Sequence, residues 1–298
     1  LCKRSHQLFF HDCPYSFQTD VGKTRKKNED ALGCYIPQDP QVFHEYGAIF
    51  IVADGVGGSL HGDIASRLAV KTIIHKYYKA PVSSSIRDRL ITSIQTANEL
   101  ILTESTMNHE SNMATTVVVA VVCKKMIYFA NVGDSRAYIS GPHRVGGMEQ
   151  ITTDHTLIEE QIKKGLILRK HILEADCQNI ITNCLGFEKS VHVDSFEVPI
   201  LDQDKILLTS DGLTHVANDN QILDVLNQAS CEFNSKGLVD LANSLGGPDN
   251  ISVYVIEANS LQKLPPIKKQ SYKTPFVTVS FFLFIAIFLC CLFSLLFI

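Results

Sequence analysis

Hydrophobic and polar positions along the chain fall into two regimes. Short apolar runs bounded by turn residues occur at "AIFIVAD" (48–54), "TTVVVAVV" (115–122), "KMIYFANVGD" (125–134), "KILLTSD" (205–211) and "NISVYVIE" (250–257). Their length and their β-branched and aromatic content predict strands. Apolar residues recur at helical spacing over 63–78 and 84–104. Shorter helices are predicted over 219–228 and 235–245, opened by Asp219 and Ser235 as N-caps. The strand runs come in adjacent pairs, as over 115–140. That favours antiparallel meanders with helices outside them, an α+β fold, over a regular βαβ series.

The C-terminal pattern is different. Residues 276–298, "FVTVSFFLFIAIFLCCLFSLLFI", carry no charge. As a helix they would measure roughly 34 Å, enough to cross a hydrocarbon core of about 30 Å. A buried core helix is the alternative, but such helices are seldom so long and uniform. Lys263, Lys268, Lys269 and Lys273 precede this run, and flanking lysines favour the cytoplasmic side. The polar stretch 258–275 contains three prolines and reads as a linker. The expected organisation is a lead-in over 1–14, one globular domain over 15–257, the linker, and a single transmembrane helix over 276–298. The domain is expected in the cytoplasm, held at a membrane by its C-terminus.

Composition narrows the function classes. A net charge of −4 offers no basic field for nucleic acid. The nine cysteines are odd in number and form no CxxC pair, which suits free thiols in a reducing compartment better than disulfides or zinc. The N-terminus has no long apolar run and no cleavage site, so it is a poor secretory signal.

Carboxylates carry the chemical signal. Three apolar runs end in aspartate beside small residues, at Asp54, Asp134 and Asp211. Glu29 and Asp30 in "NED", and Asp249 in "GGPDN", stand among turn residues. A single aspartate in such a place is ordinarily a turn or cap residue, but so many recurring together suggest a shared role. An unpaired buried carboxylate is costly and calls for a cation. Hard divalent cations take oxygen ligands, and Mg²⁺ or Mn²⁺ fits this donor set. Two such ions can clamp a phosphoryl group. Gly55, followed by Gly57, Gly58 and Gly62, leaves room for close backbone approach and offers a carbonyl ligand. Arg25 has the planar fork that suits phosphate, although in "KTRKK" it also reads as a solvated arginine.

Seven segments in order, "TDVGKTRKKNED", "VADGVGG", "ATTVVVAVV", "ANVGDSRAYI", "TTDHTLIEEQIKKG", "LLTSDGLT" and "GGPDNISV", resemble the motifs of the metal-dependent serine/threonine protein phosphatases of type 2C, in particular the compact bacterial branch. The resemblance spans roughly residues 15–257. It implies a four-layer α-β-β-α sandwich of two mainly antiparallel sheets, with a two-metal centre at one edge. By matching motif, Asp30, Asp54, Asp211 and Asp249 would supply metal carboxylates, and Gly55 a backbone carbonyl. Glu29 would act through metal-bound water, and Asp134 would share a weaker third ion with Asp211. Arg25 would bind the substrate phosphate, Asn250 would support the ligand loop, and Asp20 would brace the site. The implied reaction is in-line attack by a metal-bridging hydroxide on phosphoserine or phosphothreonine, with Mn²⁺ or Mg²⁺ as cofactor and no phosphoenzyme.

Two departures bear on substrate handling. Val56 stands where many eukaryotic members have a histidine proposed as general acid, which leaves metal-bound water as the default donor; His61, nearby, reads as a surface or packing residue. Asn183 in "TNCLG" replaces a basic residue of the segment that matches the mobile flap, 155–186. His155 is expected to hold the start of that flap. An enzyme is favoured over a non-catalytic phosphoprotein-binding module because all four metal carboxylates are present. The expected partners are phosphoproteins, a membrane serine/threonine kinase with its substrates, and membrane lipid at 276–298. A monomer is expected, without nucleic acid.

Overall fold

The computed structural model describes residues 15–56, 61–107, 113–166, 180–228 and 231–258. The lead-in, the linker beyond residue 258 and the apolar segment 276–298 lie outside these residues, as do Gly57, Gly58 and the middle of the flap. No described helix is long and apolar enough to cross a membrane.

Ten strands form two five-stranded sheets in which every pairing is antiparallel. One sheet has the order β1 (Tyr15–Asp20), β10 (Ile251–Glu257), β9 (Lys205–Thr209), β6 (Arg136–Ser140), β7 (Met148–Gln150). The other runs β2 (Ala31–Tyr35), β3 (Ala48–Ala53), β4 (Val117–Cys123), β5 (Met126–Val132), β8 (Asp194–Pro199). The α-helices are α1 (Pro40–Tyr46), α2 (Gly62–Lys79), α3 (Ile86–Met107), α4 (Leu157–Lys163), α5 (Asp211–Thr214), α6 (Asp219–Gln228) and α7 (Cys231–Ser244).

The side-chain period of two along each strand generates the layers. In β4, Val118, Ala120 and Val122 join Phe50, Ile139, Leu208 and Tyr254 in a core between the two sheets. Val117, Val119 and Val121 face the other way and pack with Ala69, Ile73, Leu90 and Ile94 of α2 and α3. A third cluster joins Tyr138, Leu207, Val253 and Val255 to Ile222, Leu226 and Leu238 of α6 and α7. Three apolar cores therefore separate four layers, α-β-β-α. Strands buried on both faces read as continuous apolar runs, and β4 is buried at all seven positions.

The structure corrects several sequence expectations. The four edge strands β1, β2, β7 and β8 are not among the apolar runs. β1, β7 and β8 are only partly buried and carry polar residues, and β2 alternates buried and half-buried positions. The run ending at Asp211 is a strand only to Thr209, and Asp211 opens the short helix α5. The α6 cap is Asn218, one residue before Asp219. Its Oδ1 accepts from Gln221 N at 3.1 Å while Gln221 Oε1 accepts from Asn218 N at 3.0 Å, a reciprocal capping box. The last helix starts at Cys231, and Ser235 is buried within it instead of capping it.

Candidate metal centre

All the strand ends that carry the acidic residues converge on one edge of the sandwich. The register pairs Ala31 with Ala53, Val117 with Val132, and Asp20 with Ile251. The start of β2, the ends of β3 and β5, the end of β9 and the start of β10 therefore face one cleft. Arg25, Glu29, Asp54, Gly55, Val56, Thr116, Asp134, Ile181, Asp211, Asp249 and Asn250 line it. Asp30 lies against it through its Oδ2, which accepts from Ser210 Oγ at 2.9 Å.

Local hydrogen bonds fix each ligand loop. The Asp54 carbonyl accepts from Thr116 N at 2.8 Å and Thr115 Oγ1 at 2.7 Å, holding β3 at its exit. A Cβ on Gly55 would stand 2.5 Å from the Gly62 carbonyl carbon, and one on Gly212 would stand 2.0 Å from the Asn250 carbonyl oxygen. Only glycine permits those two backbone approaches. Asn250 ties three segments together: its Oδ1 accepts from Glu29 N at 2.8 Å, and its Nδ2 donates to the Val21 and Lys27 carbonyls at 3.0 Å each. Asp20 accepts from Gly22 N at 2.8 Å and from Asn243 Nδ2 at 3.3 Å, and so braces the turn behind the site.

The cluster is electrostatically unfinished. Asp30 Oδ1, Asp134 Oδ1 and Asp211 Oδ1 are buried and have no hydrogen-bond partner. Burial raises the Asp30 carboxyl to about 6, offset in part by the Ser252 and Ser210 hydroxyls. Burial and the nearby Asp211 raise Asp134 to about 8. Asp54 is pushed well above the usual carboxylate range by burial first, then by Asp30, Asp211 and Asp134. Two ionised carboxylates 4–5 Å apart repel by roughly 3–4 kcal/mol at an effective dielectric of about 20. A divalent cation removes both the orphaned oxygens and the repulsion. The donors are carboxylates and backbone carbonyls, which fits Mn²⁺ or Mg²⁺.

Arg25, expected to bind the substrate phosphate, lines the cleft and is paired there with a carboxylate. Its Nη2 donates to Asp249 Oδ2 at 2.7 Å, and that carboxylate raises the guanidinium pKa. Its side chain remains 42% exposed at the cleft mouth, so an incoming phosphate can reach it.

The root of the flap is tied together by hydrogen bonds. His155 Nδ1 lies 3.2 Å from Gly133 N and 2.7 Å from Asn183 Nδ2, both donors. Nδ1 is therefore the acceptor nitrogen, and Nε2–H donates to Asp194 Oδ2 at 3.1 Å. Asn183 also donates to the His192 carbonyl at 2.7 Å. His155 is a strut between the β5–β6 turn, the flap and β8, and Asn183 is turned inward to hold it. Sequence reasoning missed His215. It lies within 4.8 Å, ligand atom to ligand atom, of both Asp134 and Asp211; its signal was the four-residue spacing from Asp211.

Known proteins agree with this architecture. A sequence profile described as "Protein phosphatase 2C" matches residues 24–245. The serine/threonine phosphatase stp of Listeria welshimeri is 35% identical over 252 residues, 83% of this chain and 96% of that protein. The crystal structure of serine/threonine phosphatase Stp1 from Staphylococcus aureus superposes with a TM-score of 0.73 at 30% identity, covering 82% of this chain and 94% of that one. The catalytic domain of serine threonine protein phosphatase PstP, solved with two manganese ions, gives a TM-score of 0.66 at 27% identity over 82% and 96% of the two chains. The chain belongs to the protein phosphatase 2C family, the metal-dependent serine/threonine phosphatases.

Proposed function

We propose that the chain hydrolyses phosphoserine and phosphothreonine in proteins at this edge-on centre, and that residues 276–298 tether it to a membrane with the catalytic domain, residues 15–257, on the cytoplasmic side. The observation that carries the catalytic reading is the set of orphaned buried oxygens on Asp30, Asp134 and Asp211 around a cleft whose mouth holds Arg25. Asp30, Asp54, Asp211 and Asp249, with the Gly55 carbonyl, would hold two divalent cations. Glu29 would orient a water on that pair. When bound, the ions supply an acidified water as nucleophile and neutralise charge on the phosphoryl oxygens. Arg25 binds and orients the phosphate, exchanging its Asp249 partner for phosphoryl oxygens. Val56 offers no proton at the cleft, so the leaving seryl or threonyl oxygen takes its proton from water.

The tether reading rests on the uncharged 23-residue run and the lysines before it. Tethering would raise the effective concentration toward a membrane serine/threonine kinase and its substrates, with the phosphatase acting as a monomer. The catalytic test is hydrolysis of a phosphothreonine peptide by the full chain with and without Mn²⁺, beside Asp211→Asn. Metal-dependent turnover lost in the variant is expected; turnover unaffected by chelation sinks the reading. For the tether, deleting residues 276–298 is expected to move the protein from the membrane to the soluble fraction.

A further inference from the structure

The two ends of the cleft carry opposite charge. The edge strands are β1 and β7 in one sheet, β2 and β8 in the other. Tyr15 of β1 packs on Phe50 of β3 at 5.3 Å, so β1 and β2 share one side of the sandwich, and β7 and β8 share the other. The loop 21–30 joins β1 to β2 and closes the first end. It carries Lys23, Arg25, Lys26 and Lys27, all exposed. Lys27 and Arg67 of α2 both pair with the buried Asp63, and their side chains remain 56% and 62% exposed. Two cations on one carboxylate leave a net positive charge. Ser66 Oγ donates to the Glu29 carbonyl at 2.6 Å, which holds α2 against the loop beside the cleft.

The other end is a cavity of about 340 Å³ at the flap root. Ile181 lines the catalytic cleft while Thr182 and Asn183 line the cavity, so the two adjoin. Asp154, Glu160, Glu188 and Asp194 stand on its wall, with Lys163 as the one lysine. Asp154 is taken up by Arg136, and Asp194 by His155 and His192. Glu188 is exposed and has no ion-pair partner among the described residues. Glu160 meets Lys164 at 3.3 Å in solvent. From edge to edge each sheet spans four strand spacings, about 19 Å, the reach of about six extended residues at roughly 3.3 Å each. The carboxylates at the ends of β3, β5 and β9 lie between the two ends. We propose that the cleft selects phosphopeptides by the charge of their flanks, with acidic residues toward the loop 21–30 and Arg67, and a lysine or arginine in the flap-root cavity. The long stem of that side chain would fill the cavity and bring its charged head to Glu188 and Glu160. A peptide of reversed polarity would set like charges together at both ends. The inference rests on the phosphatase reading above and names the substrate class of that same site.

The test is a set of phosphothreonine peptides hydrolysed by the full chain in detergent with Mn²⁺. Residues two to four positions from the phosphothreonine are neutral, acidic on one side, basic on one side, or acidic on one side and basic on the other in both orders. One mixed order should exceed its reverse in kcat/KM by roughly fivefold to tenfold, and the preference should shrink at high salt. In Lys26→Glu/Lys27→Gln the gain from the acidic flank should be lost and the gain from the basic flank kept; Arg67 remains to hold Asp63. In Glu188→Lys the reverse is expected. All changed side chains are exposed, and thermal midpoints check that both variants fold. Equal turnover of the two mixed orders, a preference that salt leaves unchanged, or variants that lose both gains together overturn the inference while leaving the phosphatase reading intact. A chain that hydrolyses none of the peptides overturns both.

Discussion

Two polar clusters lie at the same edge of the sandwich, and they differ in whether their atoms are satisfied. At the root of the flap, His155, Asn183, His192 and Asp194 use their polar atoms on one another and on backbone groups. At the centre, Asp30, Asp134 and Asp211 each keep a buried oxygen with no partner. The chemistry of the shift agrees. Asp194 is held below the ordinary carboxylate range, because the His155 and His192 hydrogen bonds outweigh its burial. Asp30, Asp54 and Asp134 are held above it. A satisfied cluster stabilises the fold; an unsatisfied one marks where a ligand completes it.

The largest expected effect breaks the centre without harming the fold. Asp54→Asn should lower metal-dependent hydrolysis by roughly 10²–10³ or more. The same change should raise the stability of the metal-free protein by about 1–2 kcal/mol, because it removes a like charge from a buried cluster. Urea denaturation with chelator present measures the second outcome, and a destabilised metal-free variant would contradict the electrostatic account.

Next comes pH. Asp30 and Asp134 titrate higher in the folded protein than in the unfolded chain, so the folded state binds more protons over that window. Without metal, stability should therefore rise as pH falls from about 8 through about 6, continuing toward the unfolded value near 4. Asp194 acts in the opposite sense. Its contribution is present above its unfolded value and is lost as pH falls through its depressed folded value. Saturating Mn²⁺ should cancel or reverse the first trend, because binding requires deprotonated carboxylates. Thermal midpoints from pH 5 to 8.5, with Mn²⁺ and with chelator, test the two signs together.

Asn250→Ala would join the two halves of the comparison. It removes a donor pair and an acceptor that tie the Glu29 loop to β10, with an expected loss of about 2–3 kcal/mol and weaker Mn²⁺ binding in a calorimetric titration. His155→Gln should cost a similar or slightly smaller amount, about 2 kcal/mol, by breaking the flap root. It should leave the stoichiometry of Mn²⁺ binding unchanged, which separates a strut from a ligand. The smallest effect is Arg25→Ala. Peptide KM should rise by roughly tenfold, about 1.4 kcal/mol, with Mn²⁺ affinity held or improved because Asp249 is released from its ion pair.

The chain itself determined the interior of the fold. β3 and β4 are buried at every position and appear in the sequence as unbroken apolar runs, and β5, β9 and β10 are mostly buried and mostly apolar. The long helices α2 and α3 were equally legible, because each needs one apolar stripe against a sheet. The carboxylates were legible for a related reason: a charged residue at the end of a buried strand stands out, and Gly55 beside Asp54 points to a close backbone approach. The edge strands were not legible, since partly exposed residues such as Tyr15 and Gln18 of β1 obtain their order from their partners Ile256 and Val253 on the neighbouring strand. Tertiary structure alone placed Asp30, Asp54, Asp134, Asp211 and Asp249 around one cleft, because their proximity depends on strand register across more than two hundred residues of sequence. It alone turned Asn183 inward onto His155, set Arg25 on Asp249, and brought His215 to the acidic cluster. Those outcomes depend on distances between side chains from separate segments, and a linear pattern of apolar and polar positions carries no such distances.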